Sequence, residues 1–308
     1  MNRESRTLGR ASASAPGTCG ELVQGMLNGR HFMITCPIDM YSVATVELSH
    51  GKGGVSGPLD SPKARRAVRS TLDCLGESEA QARLWLDSQL PRGKGMASST
   101  ADVCAAIQAT TAALSQTISP RMMARIALTI EPSDGVMFSG IAIFDHRSGR
   151  IARTLGQPPP MFILAMDFGG WVDTLEFNQV DRESVLESLE FEMREAVSLV
   201  EEGIRKRDPI LVGRGATVSA LANQRVTFNP NLETVLALSR QSGAIGVNVA
   251  HSGSVIGTLF ADDERMVDRA AELARQSLPG LRSISRHRIV SGGVRICQSA
   301  RSGCARRT

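Results

Sequence analysis

Residues 91–104 read PRGKGMASSTADVC, and no other stretch constrains the fold as strongly. Glycines and small hydroxyl residues run straight into an alanine-rich segment, which the pattern predicts to be a helix from about Ser99 to Leu114. The first backbone N–H groups of a helix lack intrahelical partners and carry partial positive charge. Such an end suits an anion, above all a phosphate. Gly93 and Gly95 allow close backbone approach to a ligand. Ser98, Ser99 and Thr100 add hydroxyls for phosphate oxygens or a magnesium ion, and Lys94 adds a point charge. The stretch is not a G-x-x-x-x-G-K-S/T loop, because its lysine precedes the serines. It also reads as an ordinary serine-capped helix.

The 308 residues are 42% hydrophobic and 21% charged, which fits a globular protein with a real core, as one large domain or two. A net charge of +4 is too mild to argue for nucleic acid. There is no apolar run of membrane-spanning length and no hydrophobic core of a secretory signal near the N-terminus. Residues 1–14 read as a disordered lead-in and 297–308 as a basic, solvated tail. The six cysteines form no C-x-x-C pair, so a reducing cytoplasm is expected rather than a disulfide framework or structural zinc. The five histidines are scattered along the chain without metal-ligand spacing.

Strands are expected over 31–36, 41–48, 83–87, 136–145, 161–167, 245–250, 254–261 and 283–290. Helices are expected over 63–75, 209–223, 231–242 and 263–277, with another starting at Ser119–Pro120. The clearest helix is 183–207, where Leu186, Leu189, Met193, Val197, Val200 and Ile204 recur at three- and four-residue steps. Strands and helices mix without strict alternation, so a two-lobed α+β protein follows. The turn-rich GRIARTLGQPPP places a soft boundary near 150–160, giving lobes over 15–155 and 156–296.

PRGKGMASSTA resembles the second motif of the GHMP kinases, P-x-x-x-G-L-x-S-S-A, with Pro91, Gly95, Ser98 and Ser99 matching. APGTCGELVQG (15–25) is similar to the first motif, A-P-G-K-x-x-L-x-G-E, and GVNVAHSGSVIGTLF (246–260) to the third. Further segments, PGTCGELVQG, CPIDMYS, EPSDGVMF and DFGGWVDTLEFN, resemble the branch that phosphorylates L-threonine for the aminopropanol linker of cobalamin. The resemblance implies a GHMP kinase-like fold: an N-terminal lobe like ribosomal protein S5 domain 2 and a C-terminal ferredoxin-like lobe. It implies ATP and Mg2+, an amino-acid substrate, and a cytoplasmic monomer or homodimer that binds neither nucleic acid nor membrane.

The implied roles attach to particular residues. Gly93, Lys94, Gly95, Met96, Ala97, Ser98, Ser99 and Thr100 would wrap the ATP phosphates, and Lys63 would reach a phosphate or the ribose. Ser99 and Glu131 are the candidate magnesium ligands. Asp134 stands where the family's catalytic aspartate falls, to accept or orient the hydroxyl proton. Thr18 occupies the place of the first motif's lysine, so a lysine-assisted mechanism is not expected. Thr18, Cys19, Gly20 and Glu21 would line the amino-acid pocket. Asp39 and Asp173 would face the ammonium, and Gly170, Ser42, Thr174 and Asn178 would supply further polar groups. Trp171 and Tyr41 would wall the pocket. Each of these residues also has a plain structural reading as a cap, turn or core side chain. Two rival functions stay open: a kinase of another hydroxyl such as homoserine, and a non-catalytic metabolite-binding relative.

Overall fold

The computed structural model describes residues 7–170, 180–251 and 253–297. Trp171, Asp173, Thr174, Asn178 and the tail from 298 lie outside the described residues.

Asn28 and Gly29 both take positive φ, 49° and 68°, the two-residue turn whose twist suits a hairpin. They fold β1 (Thr7–Leu27) back on β2 (Arg30–His50) as two long antiparallel strands. Residues 7–14 therefore belong to a strand, not to a disordered lead-in. Ser12 faces Thr45 across the pair and their hydroxyls bond at 2.7 Å, while Ala13 is fully buried. The strands expected over 31–36 and 41–48 are one continuous strand.

One sheet crosses the molecule in the order β10-β7-β9-β8-β1-β2-β4-β3. The first lobe adds β3 (Val55–Ser56), β4 (Ala80–Ser88), β5 (Ile141–Phe144) and β6 (Ala152–Gly156) to the long hairpin. The second is built on β7 (Met161–Asp167), β8 (Gly246–Val249), β9 (Val255–Ala261) and β10 (Ser283–Arg288). The two halves join where Glu21 of β1 pairs with Val249 of β8. A last short strand, β11 (Arg295–Cys297), returns to β1, so Cys297 lies in the sheet rather than in a tail.

α1 (Pro62–Cys74) and α2 (Ser98–Ala113) lie against the first half, and α2 is buried on nearly all sides. Its small side chains permit this: β1 runs so close that a Cβ on Gly9 would meet the carbonyl oxygen of Ala113 at 1.9 Å. α3 (Pro120–Leu128) starts as its sequence predicts, with the Ser119 hydroxyl accepting the N–H of Met122. The helix expected over 183–207 is interrupted, giving α4 (Glu183–Glu187) and α5 (Glu190–Lys206). At the break, Ser188 donates its hydroxyl back to the carbonyl of Val185, a local bond that competes with helix continuation. α5 packs on α6 (Pro209–Asn223), and α6 on β8. α7 (Leu232–Ser242) and α8 (Glu264–Ser277) complete the second lobe through Leu232, Val235, Leu238, Val267, Ala270 and Ala274. The 136–145 segment is mixed: a 3-10 turn over Gly135–Met137 precedes β5. Among the described residues no helix is long and apolar enough to cross a membrane.

α6 and β8 meet backbone to backbone, and a Cβ on Gly246 would lie 2.1 Å from the Gly213 carbonyl oxygen. Gly246→Val should cost about 1–3 kcal/mol or more through overpacking, read as a lower urea midpoint at unchanged slope. A midpoint equal to the parent's would contradict this packing.

Candidate active site

The residues expected to form a phosphate loop do form a tight turn at a helix start. Gly93 and Gly95 have φ of 70° and 78°, and Ala97, with φ of 53°, stands at the N-cap of α2. No side chain caps this helix. The plain serine-cap reading of Ser98 and Ser99 therefore fails, and the first-turn N–H groups turn toward the cleft. The turn is locked from behind. Thr18 donates its N–H to the Met96 carbonyl at 3.1 Å. A Cβ on Gly95 would lie 2.5 Å from Ala250 Cβ, and one on Gly253 would lie 2.4 Å from the Lys94 carbonyl oxygen. Three separate stretches, 15–25, 91–104 and 246–260, so meet at one point.

The turn walls a cleft of 350 Å³. On its floor the Ser99 hydroxyl donates to Glu131 Oε1, and Lys63 Nζ lies 2.5 Å from Glu131 Oε2. Thr100 Oγ1 donates to Asp134 Oδ2 at 3.2 Å and accepts the Asp134 N–H at 3.3 Å. Arg92 spans the rim, donating to the Asp60 carbonyl and the Ser61 hydroxyl, each at 2.8 Å. Glu131 and Asp134 reach the cleft because the loop after α3 runs through Pro132 and is pinned where Ser133 donates its N–H to His146 O at 3.0 Å.

Burial pushes the Asp134 carboxyl up to about 6, and the charge of Glu131 adds to the rise. The Thr100 hydroxyl and a hydrogen bond from Glu21 work against it. Glu21 itself is pushed well above the usual carboxylate range, first by burial and then by Asp134. Both directions favour Glu21 as the member that keeps a proton and Asp134 as the one that carries charge. The second oxygen of Glu21, Oε2, is buried without a hydrogen-bond partner.

Other expected site residues lie elsewhere. Lys94 turns away from the cleft, paired with Asp167 at 2.8 Å and bonded to the Gly170 carbonyl at 2.9 Å. It ties the turn to the second lobe, and Gly170 serves as its anchor. Asp39 accepts the Arg288 N–H at 3.0 Å and faces His287 at 3.4 Å, a strand-edge contact outside the cleft. Ser42 is fully buried and donates to Asp102 at 2.5 Å, one layer behind the wall. Thr18, Cys19 and Gly20 are buried structural residues: burial pushes the Cys19 thiol up to about 12, and Gly20 packs on the Val249 carbonyl. Of the first motif, Glu21 alone lines the cleft among the described residues. Met96 and Ala97 line it as expected. His146 and His251, which sequence spacing kept apart, line it too, with rings 4.8 Å between centroids. No local pattern could have joined them, since the sheet brings them together.

An Mg2+ ion bound with a polyphosphate asks for one or two hard protein oxygens rather than a full cage. The Ser99 hydroxyl and the Glu131 carboxylate fit that demand, beside an uncapped helix start. Among the described residues no group of three or more His, Cys, Asp or Glu forms a metal cage.

Comparison with known proteins follows the same lines. Residues 63–143 match the GHMP kinases N terminal domain and residues 200–278 the GHMP kinases C terminal domain. An L-threonine kinase of Salmonella typhimurium is 30% identical over 299 residues, covering 93% of this chain and 95% of that one. One of Citrobacter freundii is 30% identical over 293 residues, covering 93% and 99%. A homoserine kinase structure from Cytophaga hutchinsonii superposes with a TM-score of 0.74 at 15% identity, over 96% of this chain and 99% of that one.

Replacing Thr100 by Val removes the bond that holds the Asp134 carboxyl down. In carboxyl-carbon NMR titrations, Asp134 should titrate near 6 in the parent and higher in Thr100→Val. An unmoved or lowered midpoint would show that Thr100 does not tune it.

Proposed function

The chain belongs to the GHMP kinases and is a small-molecule kinase, and from that premise we propose that it phosphorylates the side-chain hydroxyl of L-threonine. The phosphoryl donor in this reading is ATP with Mg2+, and the product is O-phospho-L-threonine for the cobalamin linker. The substrate assignment is supported by near full-length similarity to two L-threonine kinases. One observation carries the chemistry: the uncapped start of α2, the Ser99–Glu131 oxygen pair and Asp134 share the wall of a single cleft.

Phosphoryl transfer demands positioning and charge neutralisation more than covalent participation by the protein. The amides at the start of α2 receive the polyphosphate, and Gly93 and Gly95 let it come close. Ser99 and Glu131 would hold magnesium, which when bound would supply charge neutralisation for the polyphosphate. Lys63 pairs with the second oxygen of Glu131 and leaves the first to Ser99. Asp134 accepts a hydrogen bond from the acceptor hydroxyl and aims its oxygen at the phosphorus. A free aspartate, with a pKa near ~3.9, is a poor base for an alcohol. At about 6, Asp134 is more basic yet still ionised at neutral pH. With Thr18 in place of the first-motif lysine, no cation from that position lowers Asp134.

ADP release with L-threonine, L-serine and L-homoserine tests the reading. L-threonine should give the highest kcat/KM, and Asp134→Asn should lower kcat by ~10²–10⁴-fold with the Kd for ATP nearly unchanged. The parent's rate should fall as pH drops through about 6, because Asp134 gains a proton there. Turnover of homoserine alone would retire the threonine assignment, and ATP binding without turnover of any amino acid would favour a binding protein.

A further inference from the structure

Beside the phosphate cleft lies a second chamber, of 280 Å³, and His146 and His251 line both. Three of the chain's five histidines gather here. His31 meets His146 edge-on at 6.0 Å between centroids, and His146 meets His251 at 4.8 Å. Arg147 Nη1 lies 3.1 Å from His31 Nε2. A guanidinium has donors and no acceptor, so His31 accepts through Nε2 and is the neutral tautomer with its proton on Nδ1. Burial and then Arg147 hold the His31 imidazole below its ordinary range. His251 is pushed down to about 3 by burial, and by Arg147, His31 and Arg182 in turn.

The chamber therefore holds two cations, Arg147 and Arg182, beside two imidazoles kept neutral, His31 and His251. Carboxylates share the chamber: Glu183, whose Oε1 lies 4.0 Å from His31 Nε2 with its side chain 67% exposed, and Asp181, whose Oδ1 accepts the Glu183 N–H at 2.9 Å. One chamber that presents guanidinium groups and carboxylates together matches the two charges of an α-amino acid head group. Position agrees as well. Arg147 is held by the turn in which Asp145 Oδ1 accepts the N–H groups of Arg147 and Ser148, at 3.0 and 2.9 Å. The residue before it, His146, accepts the N–H of Ser133, the immediate neighbour of Asp134. One backbone hydrogen bond separates the segment carrying Arg147 from the segment carrying the acid that faces the hydroxyl.

We propose that this chamber binds the α-carboxylate of the acceptor through Arg147 and Arg182, while Asp181 and Glu183 face its ammonium. The proposal rests on the amino-acid kinase reading and assigns that site a charge requirement: the acceptor carries a free carboxylate. Guanidinium–carboxylate pairing gives both energy and orientation, and it would turn the β-hydroxyl toward Asp134.

The test compares L-threonine with L-threonine amide, which keeps the hydroxyl and ammonium and lacks the carboxylate charge. Equilibrium binding is measured beside initial rates, with L-homoserine, L-serine and their amides in parallel. The full chain should prefer acid to amide by ~10-fold or more. Arg147→Gln should weaken L-threonine binding by ~10–100-fold, leaving the amide and ATP within about twofold. Arg147→Lys, which keeps the charge without the fork, should fall between, and it serves if the Gln variant does not fold. Equal affinity for acid and amide, undiminished discrimination in either Arg147 variant, or no binding of any of the three acids would overturn the proposal. A preference for homoserine or serine over its amide, erased in Arg147→Gln, would retire L-threonine as substrate and keep the chamber.

Discussion

Glu21, Glu131 and Asp134 are among the buried or half-buried carboxyl groups that line one cleft, and the protein must accommodate them. Burying charge is costly unless it is paired, hydrogen-bonded or neutralised. Each device is in use. Glu131 is matched by Lys63 and the Ser99 hydroxyl, and Asp134 by both polar ends of its bond with Thr100. Glu21 avoids charge by keeping a proton. The positive end of α2 faces the same wall and favours the charges that remain. A site arranged in this way is poised to receive further anions together with a divalent cation.

The backbone that holds this wall depends on missing side chains. Gly20 packs on Val249, Gly95 on Ala250 and Gly253, and Gly253 on Lys94. The same seam carries the Glu21–Val249 pair that continues the sheet from one lobe to the other. Phosphate turn, acid wall and lobe junction are therefore one construction. Lys94 reinforces it from outside, reaching Asp167, which also accepts a hydrogen bond from the Ser254 hydroxyl at 2.7 Å. A lysine that the sequence suggests for phosphate instead ties the turn to the second lobe.

Much of this was legible in the sequence where periodicity or local chemistry decides structure. α1, α2, α6, α7 and α8 fall within a residue or two of their expected bounds, α3 starts where expected, and Ser99, Glu131 and Asp134, taken from two separate motifs, line one cleft. Asn28–Gly29 is a strong hairpin signal that the strand reading did not use, and with it residues 7–14 would have been placed in a strand. Other features have no local signature. Asp39 and Ser42 are polar residues on a long strand, and whether such a side chain meets a cleft, a core or a sheet edge depends on tertiary pairing. The gathering of His31, His146 and His251 spans more than two hundred residues of chain. Spacing rules for ligands within one element could not anticipate it.

The central claim is that the amides opening α2 grip a nucleotide's polyphosphate within reach of Asp134. A crystal structure with a non-hydrolysable ATP analogue, Mg2+ and L-threonine tests it most directly. The account predicts the terminal phosphates against residues 95–100, the metal touching Ser99 and Glu131, and the threonine hydroxyl hydrogen-bonded to Asp134. A nucleotide bound elsewhere with that turn vacant, or a threonine hydroxyl directed away from Asp134, would contradict it.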